Sequence, residues 1–389
     1  MNIDKESLEL VHVITPGDHF SPRTGSAIPT VVHGLSSALN KRGIKSSVIV
    51  DETTFTPRYE SCDVLEVAYD LAPMSRSSKV LDVLSGALLN SRHHVAKRYE
   101  PVRTKLGSFQ DAAVFYHNTL APSAVHKSHY SRHLVYSWWH NDLSRTLTRR
   151  ELCNYVNRID GIICCSHYLR SRITRHLPDL LSRKVHVVQN GVVLPSVSSR
   201  SRSISGRPTI GFVGRVTPEK GVHLLLDAVT STSMLNDICD VVIVGNHGFS
   251  AADPLTPYEQ DLRNKATKTG VSVTFLPFQN RTQIPELYKK IDILVVPSVF
   301  PEPFGLVVLE ANSYGIPVIH SNAGGLLEAS GGQSLVFDIN DETHLAEQLS
   351  QLIHRDSLYR HCSERSIVWA GLSTWDARSD ALLQVIHRG

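Results

Sequence analysis

The sequence predicts an α/β protein made of two doubly wound, Rossmann-like parallel-sheet domains facing each other across a cleft. Three observations carry that prediction. The chain has 389 residues, more than one ordinary hydrophobic core accommodates and suited to two. Short apolar runs that stop at Gly, Pro or a polar residue recur along it. Stretches of helical periodicity lie between them, as expected of buried parallel strands with crossover helices. The pattern breaks once, at PSVSSRSRSISGRP (195–208), which has the Ser, Arg, Pro and Gly content of a linker.

In the first half, LVHVITP (10–16) reads as a strand that ends at Pro-Gly. The loop GDHFSPRTGS follows, then AIPTVVHGLSSALNKRG with helical periodicity and a Gly stop, then the strand SSVIV (46–50). A strand, loop, helix and strand with glycine in the first turn is the doubly wound unit. AAVFYH (112–117), HLVYSWWH (133–140), GIICCS (161–166) and VHVVQNG (185–191) continue the series. Beyond the linker, strands are expected at 208–215, 239–245, 272–278, 292–298, 316–321 and 334–338. The expected domains are residues 1–190 and 191–370. Ligands of such folds bind at the carboxyl ends of the strands, so the cleft between the domains is the expected site.

Composition narrows the function. With 41% hydrophobic and 20% charged residues the chain is that of a soluble globular protein, and no apolar run approaches the ~18–20 residues of a membrane helix. The opening MNIDKESLELVHVI carries acidic residues and no long apolar core, so it does not read as a signal peptide. Six cysteines show no C-x-x-C spacing, and the adjacent Cys164 and Cys165 read as buried thiols of a reducing compartment. A cytoplasmic location is expected. Residues 1–190 hold 24 Lys+Arg against 17 Asp+Glu, whereas the whole chain holds 40 against 37. A basic first half fits an anionic partner such as a phospholipid surface, a lipid-linked diphosphate or an acidic glycan. Scattered solvated charges fit the count equally well. The basic segment 74–107, with Val80, Leu81, Val83, Leu84, Leu88 and Leu89, poses the same choice between a peripheral membrane contact and an amphipathic helix packed on the domain.

Chemistry concentrates in two segments. In GFVGRVTPEKGVHLLLDAV (211–229) a strand ends at Gly214-Arg215, and Thr217-Pro218 has the residues of a helix start. Lys220 then falls in the first turn, where a cation opposes the helix dipole unless an anion lies nearby. Arg215 and Lys220 together fit a diphosphate clamp; the plainer reading is two exposed cations on an ordinary turn. In PEPFGLVVLEANSYG, Gly305 lets a ligand approach the backbone, and a helix starting there presents its positive end to a phosphate over Phe304, Gly305 and Leu306. Glu302 precedes that turn and Glu310 lies inside the helix. One carboxylate before the turn and one inside the helix serve separate points of one site, such as the two sugars of a nucleotide sugar, or are unrelated. The run of His126, His129 and His133 does not make a convincing zinc set, and surface histidines near an acceptor cleft are the expectation. No G-x-G-x-x-G follows the first strand, which disfavours a dinucleotide dehydrogenase.

The order GFVGRVTPEKG, VVIVG, VTFLPF and DILVVPSVFPEPFGLVVLEANSYGIPVIHSNAGGLLE resembles the retaining glycosyltransferases of family 4, which have the GT-B fold and an E-x7-E motif. The resemblance is close over 160–389 and looser before it. It implies that Glu302 meets the donor sugar, that Glu310 binds the ribose, and that Arg215 and Lys220 neutralise the diphosphate. The backbone of Phe304–Leu306 completes the phosphate site, with Gly214 and Phe278 beside the donor. Asn190-Gly191-Val192 matches the family's hinge, Ser166 a strand-end serine, and 371–389 a closing helix that returns to the first domain. The family's first turn usually carries Gly-Gly; here Thr24-Gly25-Ser26 keeps Gly25 alone. The cleft histidine matches His140 in YSWWHNDLSR, with His117 in AVFYHNTLAP as its rival.

The resemblance implies a metal-independent, front-face retaining transfer of a hexose, of glucose type, from a UDP-sugar. The acceptor is a polysaccharide, lipid-linked or small-molecule hydroxyl, no cofactor is needed, and no nucleic acid is a partner. The absence of any D-x-D pair agrees with a metal-independent site. The alternatives are a non-catalytic nucleotide-sugar-binding component of a glycan assembly complex, or an epimerase or phosphorylase of the same fold.

Overall fold

The structure, a computed structural model, describes residues 8–195, 203–230, 235, 238–250, 252–341 and 343–388. The expected linker therefore lies partly outside the described residues, as do residues 1–7. The chain divides into two compact units, residues 1–190 with 375–389, and residues 191–374.

The first unit holds a parallel sheet of β1 (Glu9–Val13), β2 (Ser46–Asp51), β3 (Asp63–Val67), β4 (Ala112–His117), β5 (Leu134–Trp139), β6 (Gly161–Cys164) and β7 (Val185–Val187). Their spatial order is β3-β2-β1-β4-β5-β6-β7, so the order reverses between β1 and β4. All six residues of β4 and of β5 are buried, which is why these strands read as continuous apolar runs. β3 escaped the sequence reading because it is an edge strand, DVLEV, with one buried residue.

The second unit repeats the plan with β8 (Thr209–Val213), β9 (Asp240–Val244), β10 (Ser272–Leu276), β11 (Ile293–Val296), β12 (Val318–Ser321) and β13 (Leu335–Phe337), ordered β10-β9-β8-β11-β12-β13. Its core gathers Ile210, Ile243 and Val295 on one face of the sheet with Leu225, Leu226 and Leu349 from the helices. The order reverses between β8 and β11, and crevices for ligands form at such reversals.

Two expectations about helices need correction. The closing helix begins at Trp375 rather than 371, because the preceding helix, Asp356–Leu372, continues to Leu372 within the second unit. Val192 N–H then donates to Ser373 O at 2.9 Å, and Val192 bridges to Thr374. The Trp375–Arg388 helix packs on Ala27–Asn40 so tightly that a Cβ on Gly34 would lie 2.2 Å from the Trp375 ring.

The segment 74–107 forms three helices, Arg76–Leu89, His93–Lys97 and Glu100–Leu106, and the first is inside out. Its buried residues are Asp82 and Gly86. Asp82 accepts from His94 N–H at 2.9 Å and Val95 N–H at 2.8 Å, and Gly86 lies against the buried Glu151 carboxylate. Val80, Leu81, Val83, Leu84, Leu88 and Leu89 are all exposed, Leu89 at 75%. The helix is thus held by polar contacts, and its apolar side does not pack on the domain.

Candidate functional site

In the second unit, the loops after the two reversal strands converge. Here the sequence expectation of a helix from Thr217 fails: Pro218–Lys220 is a short 3-10 turn, and the helix starts at Val222 after Gly221. Gly221 has φ +69°, and a Cβ there would lie 1.9 Å from Pro297 O, an approach that only glycine permits. Val299 N–H donates to Glu219 O at 2.9 Å, fastening the β8 loop to the β11 loop.

The result brings two predicted residues together. Lys220 Nζ lies 2.6 Å from Glu302 Oε1, and Ser298 Oγ donates to the same oxygen at 2.5 Å. Lys220 is therefore placed by a backbone reversal and a carboxylate, not by a helix first turn. Among the described residues Glu302 Oε2 has no protein donor, so it is left to accept from a ligand hydroxyl. Glu302's backbone is stitched in turn: its N–H donates to Ala323 O at 3.3 Å and its O accepts from Gly325 N–H at 2.7 Å. Gly324, at φ +70°, leaves no room for a Cβ, which would sit 2.3 Å from Glu302 O.

Immediately after, Gly305 adopts φ +103° and begins the helix Leu306–Ser313. Among the described residues the N–H groups of Phe304, Gly305 and Leu306 donate to no protein acceptor. Unpaired N–H groups at a helix N-terminus suit an anion. Arg215 is exposed beyond β8 and has no ion-pair partner among the described residues. Gly214, at φ +155°, closes against Gly245, where a Cβ would lie 2.0 Å from Gly214 O.

Glu310 stands apart from Lys220 and Glu302 in its contacts. Arg281 Nη1 lies 2.5 Å from its Oε1, and Tyr288 OH donates to its Oε2 at 2.9 Å. Burial first, and then the adjacent Glu310 carboxylate, push the Tyr288 phenol far up, so it stays a donor. A carboxylate has about four lone-pair sites, so two remain for hydroxyls. Phe278 is half-buried, its N–H donating to Asn246 Oδ1 at 2.9 Å and its ring edge-on to Phe249.

In the first unit, both rival histidines belong to one cluster. His117 Nδ1 lies 2.8 Å from His140 Nε2, and His117 Nε2 lies 3.0 Å from His12 Nδ1. Burial pulls His12 and His140 down to about 3, and His117 well below its ordinary value, so all three rings are neutral. His140 N–H donates to Asn118 Oδ1 at 2.8 Å, and Asn118 turns the chain at φ +48°. Gly25 is half-buried just before Ser26, which holds the N-cap position of the helix Ala27–Asn40 without a side-chain capping bond. Ser166 caps the helix His167–Thr174, accepting from Leu169 N–H at 3.0 Å.

Sequence reasoning missed Arg281, Tyr288, Ser298, His12 and Asp18. Asp18, in the first loop, has its carboxyl raised by burial, with nearby Ser26 acting against the shift. The Gly324-Gly325 pair was a readable signal of a close approach; the contacts of Arg281 and Tyr288 with Glu310 had none. The expectation of surface histidines is also corrected: His126 and His133 are buried and bonded to each other at 2.9 Å, and His129 alone is exposed. Among the described residues no group of three His, Cys, Asp or Glu side chains could hold a metal ion.

Comparison with known proteins sets this geometry in a family. Residues 28–194 match the family model "Glycosyltransferase Family 4", and residues 197–369 match "Glycosyl transferases group 1". The chain belongs to glycosyltransferase family 4. It is 33% identical over 217 residues to the D-inositol 3-phosphate glycosyltransferase of Mycolicibacterium smegmatis, covering 53% of this chain and 48% of that protein. It is 27% identical over 220 residues to spore coat protein SA of Bacillus subtilis, covering 52% and 57%. The chain thus spans about half the length of the curated relatives it matches. Among solved structures, Anabaena HepE in complex with UDP and glucose superposes with a TM-score of 0.70 at 19% identity, over 98% of this chain and 100% of that one. Sucrose-phosphate synthase from Thermosynechococcus elongatus gives 0.71 at 16% identity, over 98% of each. These likenesses and the two parallel-sheet units make this family 4 glycosyltransferase a GT-B protein.

Proposed function

We propose that this family 4 protein transfers a hexose from a UDP-sugar to a hydroxyl acceptor with retention at the anomeric carbon and without a metal. The observation that carries the reading is the meeting of Lys220 and Glu302 beside the unpaired N–H groups at Gly305. In it, Lys220, Arg215 and those N–H groups hold the diphosphate, where charge grows as the bond to the sugar breaks. In the second unit Glu302 Oε2 holds a sugar hydroxyl, Glu310 accepts from the ribose, and Gly214 and Phe278 line the donor; in the first unit His140 holds a substrate hydroxyl and Gly25 lets substrate approach the backbone. The acceptor oxygen bonds to the anomeric carbon on the face the phosphate leaves. The acceptor's proton passes to the departing phosphate oxygen, giving glycoside and UDP. Anabaena HepE, of the same fold, has been crystallised with UDP-glucose, which supports the choice of donor. The test is UDP release from a panel of nucleotide sugars, with EDTA or with Mg²⁺. Acceptors offered are inositol 3-phosphate, lipid-linked sugars and oligosaccharides. Binding of every donor without release under any acceptor would favour the non-catalytic reading.

For the acceptor, the inverted Arg76–Leu89 helix favours a membrane surface. At 100° per residue, Val80, Leu81, Leu84 and Leu88 span a stripe of about 100° opposite Asp82 and Gly86. Exposed Arg76 lies beside it on the same helix, which suits the headgroups of an anionic bilayer. Among the described residues no helix is long and apolar enough to cross a membrane, so the contact is peripheral. Flotation with phosphatidylglycerol vesicles should carry the protein upward, and Leu84→Glu with Leu88→Glu should abolish this. If those changes instead split a dimer in solution, the helix is a self-association face.

A further inference from the structure

His12, His117 and His140 climb the first sheet as a diagonal. His12 stands opposite Phe115 in the β1–β4 register, and His117 is two residues further along β4. His117 stands opposite Trp138 on β5, and His140 is two residues further on again. A step of two keeps a strand side chain on the same face. The three rings therefore share one face, each nearer the carboxyl ends of the strands than the last. Trp138 backs the line, stacked on His117 at 5.4 Å and on His140 at 6.1 Å.

A count of hydrogens decides what this line can do. Each neutral imidazole carries one N–H and one bare nitrogen. His117 uses both nitrogens, so it donates once and accepts once, and the two inter-ring bonds must run in the same direction. Only two arrangements satisfy that. In one, His12 donates to His117, His117 donates to His140, and His140 keeps its hydrogen on Nδ1. In the other every bond reverses, and the free hydrogen moves to His12 Nε2. Among the described residues neither His12 Nε2 nor His140 Nδ1 has a protein partner. His12 is fully buried within β1, whereas His140 lies past the end of β5 and keeps 7% exposure. Both end nitrogens are themselves buried, but His140 alone lies at the carboxyl ends of the strands, where ligands of such folds bind. A bound substrate oxygen can relieve an unpaired donor only there, which favours the arrangement with its free hydrogen on His140.

We infer that His140 is a neutral hydrogen-bond donor through Nδ1–H, and that His117 and His12 are positioning residues which fix that tautomer. His140 then serves a ligand oxygen that accepts, such as a sugar hydroxyl. It does not act as a base unless all three rings exchange hydrogens together. The ligand assignment and the choice between the two arrangements rest on the donor reading above; the coupling of the three rings does not.

The experiment is long-range proton–nitrogen correlation NMR of the ¹⁵N-histidine-labelled protein, with His140 assigned by the His140→Asn variant. With UDP-sugar bound, the expected spectrum shows His140 protonated at Nδ1 and bare at Nε2. A hydrogen on His140 Nε2 overturns the inference. His12→Phe should leave His140 a mixture of tautomers and lower kcat/KM for the UDP-sugar about tenfold, the worth of one hydrogen bond. UDP affinity should stay within about twofold, and His12→Asn, which restores a donor near Nδ1, should recover most of the activity. An unaltered His140 tautomer in His12→Phe also overturns the inference. Should that variant fail to fold, the wild-type spectrum decides alone. An Nδ1 hydrogen in a protein whose transfer survives His140→Asn would uphold the relay and reject the donor-sugar role.

Discussion

Glu302→Gln should separate two tasks that meet at Lys220. In the free protein Lys220 Nζ is 2.6 Å from Glu302 Oε1, with the two side chains 28% and 11% exposed. A diphosphate that draws in Lys220 must compete with that carboxylate. The pair is partly solvated, so its worth is about 0.2–1 kcal/mol. Glutamine keeps the shape and the acceptor for Ser298 Oγ but removes the charge. UDP should then bind up to about fivefold tighter to Glu302→Gln, while sugar transfer falls steeply. Lys220→Met should do the reverse to UDP, since a hydrogen bond to a charged group contributes about 1.5–3 kcal/mol, or roughly ten- to a hundredfold in affinity. Calorimetric titration with UDP at pH 7.5 and constant salt reads both. Equal weakening by the two variants would refute the competition, and unchanged UDP affinity in Lys220→Met would refute the phosphate role.

Further outcomes follow from the same geometry. Gly305→Ala should lower stability by about 1–3 kcal/mol in denaturant titration, because φ +103° is closed to alanine and its Cβ would meet Leu326 Cδ2 at 2.6 Å. Tyr288→Phe removes a donor from Glu310 but exposes no charge to a dry interior, so a loss of about 1 kcal/mol is expected, with weakened UDP binding if Glu310 holds the ribose. Acid should destabilise the first unit early. His12 and His140 are held at about 3 in the folded state against 6.5 when unfolded, so between those values the unfolded chain binds more protons. Stability is then full above pH 6.5 and falls as pH drops, by about 1.4 kcal/mol per pH unit for each such histidine. Unfolding midpoints at pH 7.5, 6.5 and 5.5 measure it.

The strands and the reversal points were readable because buried parallel strands write themselves as apolar runs, as in AAVFYH and DILVVPS. The chemistry of PEPFG was readable because a glycine needed for a left-handed turn sits between two carboxylates. What stayed hidden depends on contacts between segments distant in sequence. Nothing local to Arg281 announces Glu310, and nothing local to Pro297 announces that Gly221 must lack a side chain beneath it. The Thr-Pro start at 217–218 looked like a helix because local capping residues were right; the packing of the next loop replaced that helix with a single tight turn. The Arg76–Leu89 helix misled in the other direction, since an apolar stripe ordinarily marks the buried side.

The joint at Val192 and Thr374 bears on how the chain is made. The first unit is not complete until Trp375 arrives to fill the space over Gly34, and residues 191–374 must leave the ribosome before it does. At roughly 5–20 residues per second that is a wait of about 10–40 s, during which the Ala27–Asn40 helix has an uncovered side in the nascent chain. The second unit also waits for its far end, since Val192 bonds to Ser373, but it is complete once Thr374 is made, before the closing helix of the first unit. Of the two, the later-synthesised unit is the one able to finish folding first.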